Sequence, residues 1–151
     1  MRMLSVDPGV TGTGYAIWSD GNLSHWGTFY PNLPKAGWLQ KALSIKVKFS
    51  DLLSPDITRL IIEYPVFMRG TGGYMVASAG DLCKLAVLTG MILGQFPHRR
   101  IVLVEPSQWK GQLPKSVCRS RIENILGVTF SDTSNHAIDA IGIGLWSMGR
   151  F

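Results

Sequence analysis

MLSVDPGVTGTGYAIW, residues 3–18, reads as a strand that delivers an aspartate, Asp7, into a Gly-rich turn, after which the chain doubles back as a second strand. A buried strand over 2–6 puts the Asp7 side chain at the carboxyl edge of a sheet, where α/β proteins keep their ligands. Gly9, Gly12 and Gly14 permit close approach of backbone and a bound phosphate. An ordinary Asp-Pro-Gly turn leaves the same letters, so the reading depends on what the rest of the chain brings to that edge.

Outward from this stretch, strand segments 14–19 and 23–30 flank Asp20-Gly21, a strong hairpin signal. Trp38, Ala42, Ile45, Phe49 and Leu52 then mark one face of a helix that Pro55 ends. RLIIE, residues 59–63, is an apolar run without alternation, as in a strand covered on both faces. Tyr64-Pro65 stops it, and the loop MRGTGG, 68–73, is expected to be mobile. A long helix over 74–95 carries two apolar stripes: Met75, Ala79, Leu82, Ala86 and Leu93, then Val76, Gly80, Cys83, Val87, Met91 and Gly94. One stripe needs the sheet; the other needs either the first helix or a second copy of the chain. RIVLVE, 100–105, is another buried strand, and PSQWKGQLPK, 106–115, a loop before a helix over 116–126. Asp132-Thr133-Ser134-Asn135 offers N-caps for a final helix over 136–148. The order β-β-β-α-β-α-β-α-α predicts an α/β domain across 1–151. Its mixed five-stranded sheet has three antiparallel strands, then two parallel ones, with helices on both faces: the RNase H-like layout.

Composition narrows the classes. With 46% hydrophobic and 17% charged residues among 151, the chain can bury a core and is not extended disorder. The apolar stretch 85–96 is interrupted by Thr89, Gly90, Gly94 and Gln95 and is too short to span a membrane. No signal-peptide pattern opens the sequence, and Cys83 and Cys118 lack zinc-site spacing. Free thiols, a reducing compartment and a cytoplasmic location are therefore expected. Net charge is +5, and three of only ten acidic residues are claimed by the candidate site, so the remaining surface is strongly basic and suits a polyanion.

Glu63 closes the run Leu60-Ile61-Ile62, where a lone carboxylate requires a cation: a metal, or a base such as Arg69 or Lys84. His136 and Asp139, three apart at a helix start, share one face. Capping and the helix dipole offer plainer roles for both. Ala137, Ala140, Gly142 and Gly144 keep this helix slim enough to lie close to the sheet. Asp7, Glu63, Asp139 and His136 together suit two Mg²⁺ ions, with Mn²⁺ able to substitute, roughly 4 Å apart, for phosphodiester hydrolysis. His136 either ligates as neutral imidazole, with activity falling in mild acid, or moves a proton at the attacking water. Arg69, Lys110, Lys115, Arg119 and Arg121 are candidates to hold phosphates; Phe67 and Tyr74 are candidates to stack on or wedge between bases.

These motifs resemble the RuvC family of Holliday-junction resolvases over nearly the whole chain. DPGVTGTGYA resembles the first family motif, which implies Asp7 as a metal ligand; IIEYPVFM resembles the second, implying Glu63 as ligand and Phe67 as the aromatic entering the junction. NHAIDAIGIGLW resembles the last motif, with His136 and Asp139 completing the site. Some members carry Asp where this chain has His136. WKGQLPK resembles the region that supplies catalytic and DNA-binding lysines, here Lys110 and Lys115. Its shortness is more like phage-encoded members and implies a wider range of branched substrates. The resemblance implies a crossover junction endodeoxyribonuclease of DNA recombination and repair. It would act as a homodimer on branched DNA with divalent metal and no small-molecule cofactor, in the cytoplasm of a bacterium or phage-infected host. A two-fold dimer matches the approximate symmetry of a four-way junction.

Three rivals differ in testable ways. A YqgF-like relative would cut structured RNA instead. The sugar-kinase and actin superfamily also begins its phosphate hairpin with Asp and glycines, but needs two such domains. A non-catalytic junction-binding module would have no use for all four candidate ligands.

Overall fold

The computed structural model describes residues 1–52, 54–66, 79–97 and 99–151. Its elements run β1 (Arg2–Asp7), β2 (Thr13–Ser19), β3 (Asn22–Phe29), α1 (Trp38–Ser50), β4 (Ile57–Glu63), α2 (Ala79–Leu93), β5 (Arg100–Val104), α3 (Pro106–Trp109), α4 (Lys115–Leu126) and α5 (Asn135–Ser147). The strands form one sheet in the order β3-β2-β1-β4-β5. β1 pairs antiparallel with β2 and parallel with β4, while β3 extends the antiparallel side and β5 the parallel side. This is the expected mixed sheet. The β2–β3 turn has Asp20 at φ 50° and Gly21 at φ 82°, the paired positive values that match strand twist in a two-residue hairpin.

Alternation along the central strands sorts the core. Leu4 and Val6 of β1 and Leu60 and Ile62 of β4 face α1 and α2, packing with Ala42, Ile45, Phe49, Leu88, Ile92 and Phe96. Met3 and Ile61 face the other way, toward Ile138, Ile141 and Leu145 of α5 and Ile122 of α4. Ser5, on that same face, is fully buried but satisfied: it accepts from the Trp18 indole at 3.0 Å and donates to the Ala16 carbonyl. By the same period of two, Asp7 and Glu63 belong to the α5 face.

α5 is buried from Ala137 through Leu145, and glycine makes that possible. A Cβ on Gly144 would lie 2.2 Å from the Trp18 indole nitrogen, and one on Gly142 would lie 2.5 Å from Cζ3 of Trp109. Aromatic rings occupy the grooves that these two positions leave open. The slim-helix expectation holds.

Three expectations are corrected. The segment after β5 is not all loop: α3 forms there, with Glu105 as N-cap, Pro106 behind it and Gln108 returning the bond of a capping box. β5 is not buried on both faces but is an edge strand, with Ile101 39% and Leu103 48% exposed. On α2 the residues that reach the core are Leu88, Thr89 and Ile92, a face between the two predicted stripes. Of the second stripe, Gly80, Cys83, Val87 and Gly94 are exposed, while Met91 is half-buried against the core that α1 shares, so α1 covers only part of it. The predicted loop 68–73 and helix start 74–78 lie outside the described residues. Among the described residues, no helix is long and apolar enough to cross a membrane.

Candidate active site

The register aligns Val6 with Ile62, so Asp7 and Glu63 end adjacent parallel strands side by side. α5 closes over them from its N-terminal end. Ser134 caps that helix by accepting from the Ala137 N–H at 3.2 Å, and its hydroxyl also bonds Thr28 of β3. A Cβ on Gly14 would fall 1.9 Å from the His136 carbonyl oxygen. Gly14 therefore serves the seat of the helix rather than the room for a phosphate that the sequence suggested. The first turn of α5 then brings His136 Nδ1 to 2.8 Å from Asp7 Oδ2. Asp139, one turn on, is buried on the same face.

Lys110, the C-cap of α3, sends its ammonium into this group of acids, 3.2 Å from Asp139 Oδ2 and 3.6 Å from Glu63 Oε2. Among the described residues, the cation on Glu63 is thus Lys110 and not the anticipated Lys84. Lys84 pairs with Asp81 at 3.1 Å, and Arg69 lies outside the described residues.

Charges crowd here in a partly dry place. Burial pushes Glu63 up to about 7, and the Asp7 charge adds to the push, while Lys110 and the Trp109 indole oppose it. Burial also raises Asp7, with the His136 hydrogen bond as the largest opposing effect. His136 is raised in turn by that hydrogen bond, against burial. Burial alone would lower Lys110, but Glu63 and Asp139 outweigh it and hold the ammonium charged. Such a cluster attracts cations: protons, the lysine, or a metal.

Two supporting contacts had no clear signal in the sequence. Tyr64, next after Glu63, donates its hydroxyl to Glu105 Oε1 at 2.6 Å and its backbone N–H to Val104. That ties the start of α3 to the end of β4. Trp109, buried at 3% exposure, donates its indole N–H to Glu63 Oε2 at 2.6 Å. Only the letters Glu105, Pro106 and Gln108 could have announced α3.

The other predicted contacts divide. Lys115 opens α4 and is exposed. Arg119 donates to the carbonyls of Phe130 and Thr133 and to Asn135 Oδ1, so its guanidinium braces the loop leading into α5. Arg121 lies over the Phe151 ring at 4.8 Å. Phe67 and Tyr74 lie outside the described residues. Among the described residues, no group of three or more His, Cys, Asp or Glu side chains is arranged to hold a metal ion as it stands. Lys110 occupies the middle of the acidic group instead.

No family model matches this sequence, and no curated protein matches it. Solved structures do. The chain superposes on Thermus thermophilus RuvC in complex with a Holliday junction substrate with a TM-score of 0.75 at 19% identity, covering 99% of this chain and 97% of that one. A second T. thermophilus RuvC structure gives 0.70 at 20% identity, covering 99% and 98%. The yeast mitochondrial Holliday junction resolvase Ydc2 gives 0.54 at 12% identity, covering 97% of this chain and 80% of that one. The fold is that of RuvC, the RNase H-like fold, across essentially the whole chain.

Proposed function

We propose that this chain is a structure-selective DNA endonuclease that resolves Holliday junctions and related branched DNA by metal-dependent phosphodiester hydrolysis. The observation that carries the reading is the convergence of Asp7, Glu63 and Asp139 around the Lys110 ammonium, at 3.2 and 3.6 Å from two of them. The setting supports it: a fold shared with a protein named as a Holliday junction resolvase and with a RuvC solved in complex with a Holliday junction substrate.

The donor types suit a divalent cation. Three buried or half-buried carboxylates supply hard oxygen donors, and an ammonium already stands where positive charge is wanted. Asp7, Glu63 and Asp139 would hold Mg²⁺, with Mn²⁺ better tolerating an imidazole from His136. Two such ions, held by these side chains, would supply activation of a water and positive charge for the leaving oxygen.

The side chains divide the remaining work. With Nδ1 donating to Asp7 Oδ2, His136 keeps Nε2 as the nitrogen free to ligate or to accept a proton from the attacking water. Lys110 would pair its ammonium with the scissile phosphate. Lys115 and Arg121 add basic charge for flanking phosphates; Phe67 is carried as a contact of the junction by resemblance, and Arg69 and Tyr74 by their residue types in and beside the loop after it. The exposed stripe of Cys83, Val87, Gly90 and Gly94 on α2 supports an isologous homodimer offering two sites to opposed strands. In this scheme residues 1–151 act as one nuclease domain in the cytoplasm.

A gel assay of synthetic four-way, three-way and linear DNA with Mg²⁺, Mn²⁺ or EDTA tests the reading. Metal-dependent, paired nicks in the four-way junction are expected. Equal cutting of linear duplex, or cutting of structured RNA alone, would overturn it.

A further inference from the structure

Trp109 stands against Glu63 in a way that neither the fold nor the proposed chemistry demands. An indole is a donor with a single fixed direction, and when buried it needs a partner in that direction. Here the partner is a carboxylate of the acidic group, at 2.6 Å. The ring has little freedom to follow if Glu63 moves. One side fills the space over Gly142, where a Cβ would come within 2.5 Å of Cζ3. Phe151 meets it edge-on, with centroids 5.6 Å apart. Its backbone lies in α3, whose start is capped by Glu105 and tied to β4 through Tyr64.

The same ring touches the other charge of the site. Lys110 Nζ lies 4.7 Å from the Trp109 ring centroid, within range of a cation–π contact. One rigid side chain thus borders both a carboxylate and the ammonium between the carboxylates. Among the described residues, the recorded contacts of the Glu63 carboxylate, from Trp109 and from Lys110, both fall on Oε2. The other oxygen is left for a further ligand.

We propose that Trp109 is a positioning residue: its indole N–H pins Glu63 by Oε2, so that the carboxylate presents its other oxygen to a divalent cation in one preset orientation. This rests on the metal-dependent reading above, and it adds a residue type whose N–H no aliphatic side chain could replace. Ligand-orienting hydrogen bonds of this kind change metal affinity or activity by about 10- to 100-fold.

Two measurements test it. In the ¹H–¹⁵N spectrum of the full-length protein, the assigned Trp109 indole resonance should shift on titration with Mg²⁺, while those of Trp18, Trp26, Trp38 and Trp146 move less. In Trp109→Phe, which keeps an aromatic ring but loses the donor, kcat on a four-way junction should fall about 10- to 100-fold and half-saturating Mg²⁺ should rise. Junction affinity, measured with EDTA present, should stay within about twofold, because phosphate contacts dominate it. A folded Trp109→Phe with native kcat and native Mg²⁺ dependence overturns the proposal. If that variant does not fold, an indole resonance of the native protein unmoved by Mg²⁺ overturns it instead. A native chain whose Trp109 resonance responds to Mg²⁺ but which leaves junctions uncut would sink the nuclease reading and leave this one standing.

Discussion

His136 Nδ1 lies 2.8 Å from Asp7 Oδ2, joining the first turn of α5 to the end of β1 across 129 residues of sequence. The contact makes His136 a partner of Asp7. It also defines which imidazole nitrogen is free for chemistry. The pair depends on Gly14, whose missing side chain leaves room for the His136 carbonyl.

Gly14→Ala should therefore damage both stability and catalysis. The added methyl would overlap the His136 carbonyl at 1.9 Å, and backbone cannot swing aside as a flexible side chain can. A loss on the order of 3 kcal/mol is expected, with the cleavage rate falling further than junction binding. Thermal melts and single-turnover kinetics check it; a native melting temperature would show that α5 seats differently.

Asp7→Asn and Glu63→Gln should each reduce cleavage by about 10³-fold or more while leaving junction affinity nearly intact. Filter binding in EDTA and gel cleavage in Mg²⁺ measure the two separately. Parallel loss of both in a folded variant would count against these residues as metal ligands.

Stability should respond to pH in an unusual direction. Glu63 has its carboxyl raised to about 7, so between about 4.5 and 7 the folded chain binds more protons than the unfolded one. Stability from this group is present at low pH and is lost as pH rises through 7. Asp7 is raised as well, and the stabilisation of protonated His136 by Asp7 is likewise lost as pH rises through its raised value. The metal-free protein should melt lower at pH 8 than at pH 5.5, by roughly 5 °C, and Glu63→Gln should flatten that slope. Mg²⁺ should stabilise more at pH 8. Differential scanning calorimetry with and without EDTA decides.

Lys110→Met should separate two roles of the ammonium. Without it, Mg²⁺ no longer competes with a built-in cation and should bind more tightly by calorimetry. Cleavage should still fall by about tenfold or more, because the charge facing the phosphate is gone. Unchanged metal affinity would mean that Lys110 leaves the acidic group in solution.

Val87→Glu places a charge on the exposed stripe of α2. Sedimentation should report a dimer for the native chain and a monomer for the variant, which should retain its fold. A native monomer at micromolar concentration would remove this face from the argument.

Much of this was legible in the letters because it depends on period. The unalternating RLIIE and the strand before Asp7 fix β4 and β1 as central, and parity then sends both carboxylates to one face. The faces of α2 were harder. Apolar residues surround that helix, so spacing alone could not single out Leu88 and Ile92 as its inward side. Whether β5 is an edge strand depends on what lies beyond it, which its own sequence does not encode. α3 had a readable signature in Glu105, Pro106 and Gln108, yet what Trp109 and Lys110 touch is set by packing against Gly142 and Phe151.

The acidic group draws one member each from β1 and β4, two from α5 if His136 is included, and its cation from the end of α3. No contiguous part of the chain contains more than a fraction of it. During synthesis Asp7 leaves the ribosome long before Asp139, and the carboxylates can meet only after α5 has settled over β1 and β2. Under the proposed function, cleavage competence would then report completed folding: partly folded chains, even where their basic residues held them to DNA, would be unable to cut it.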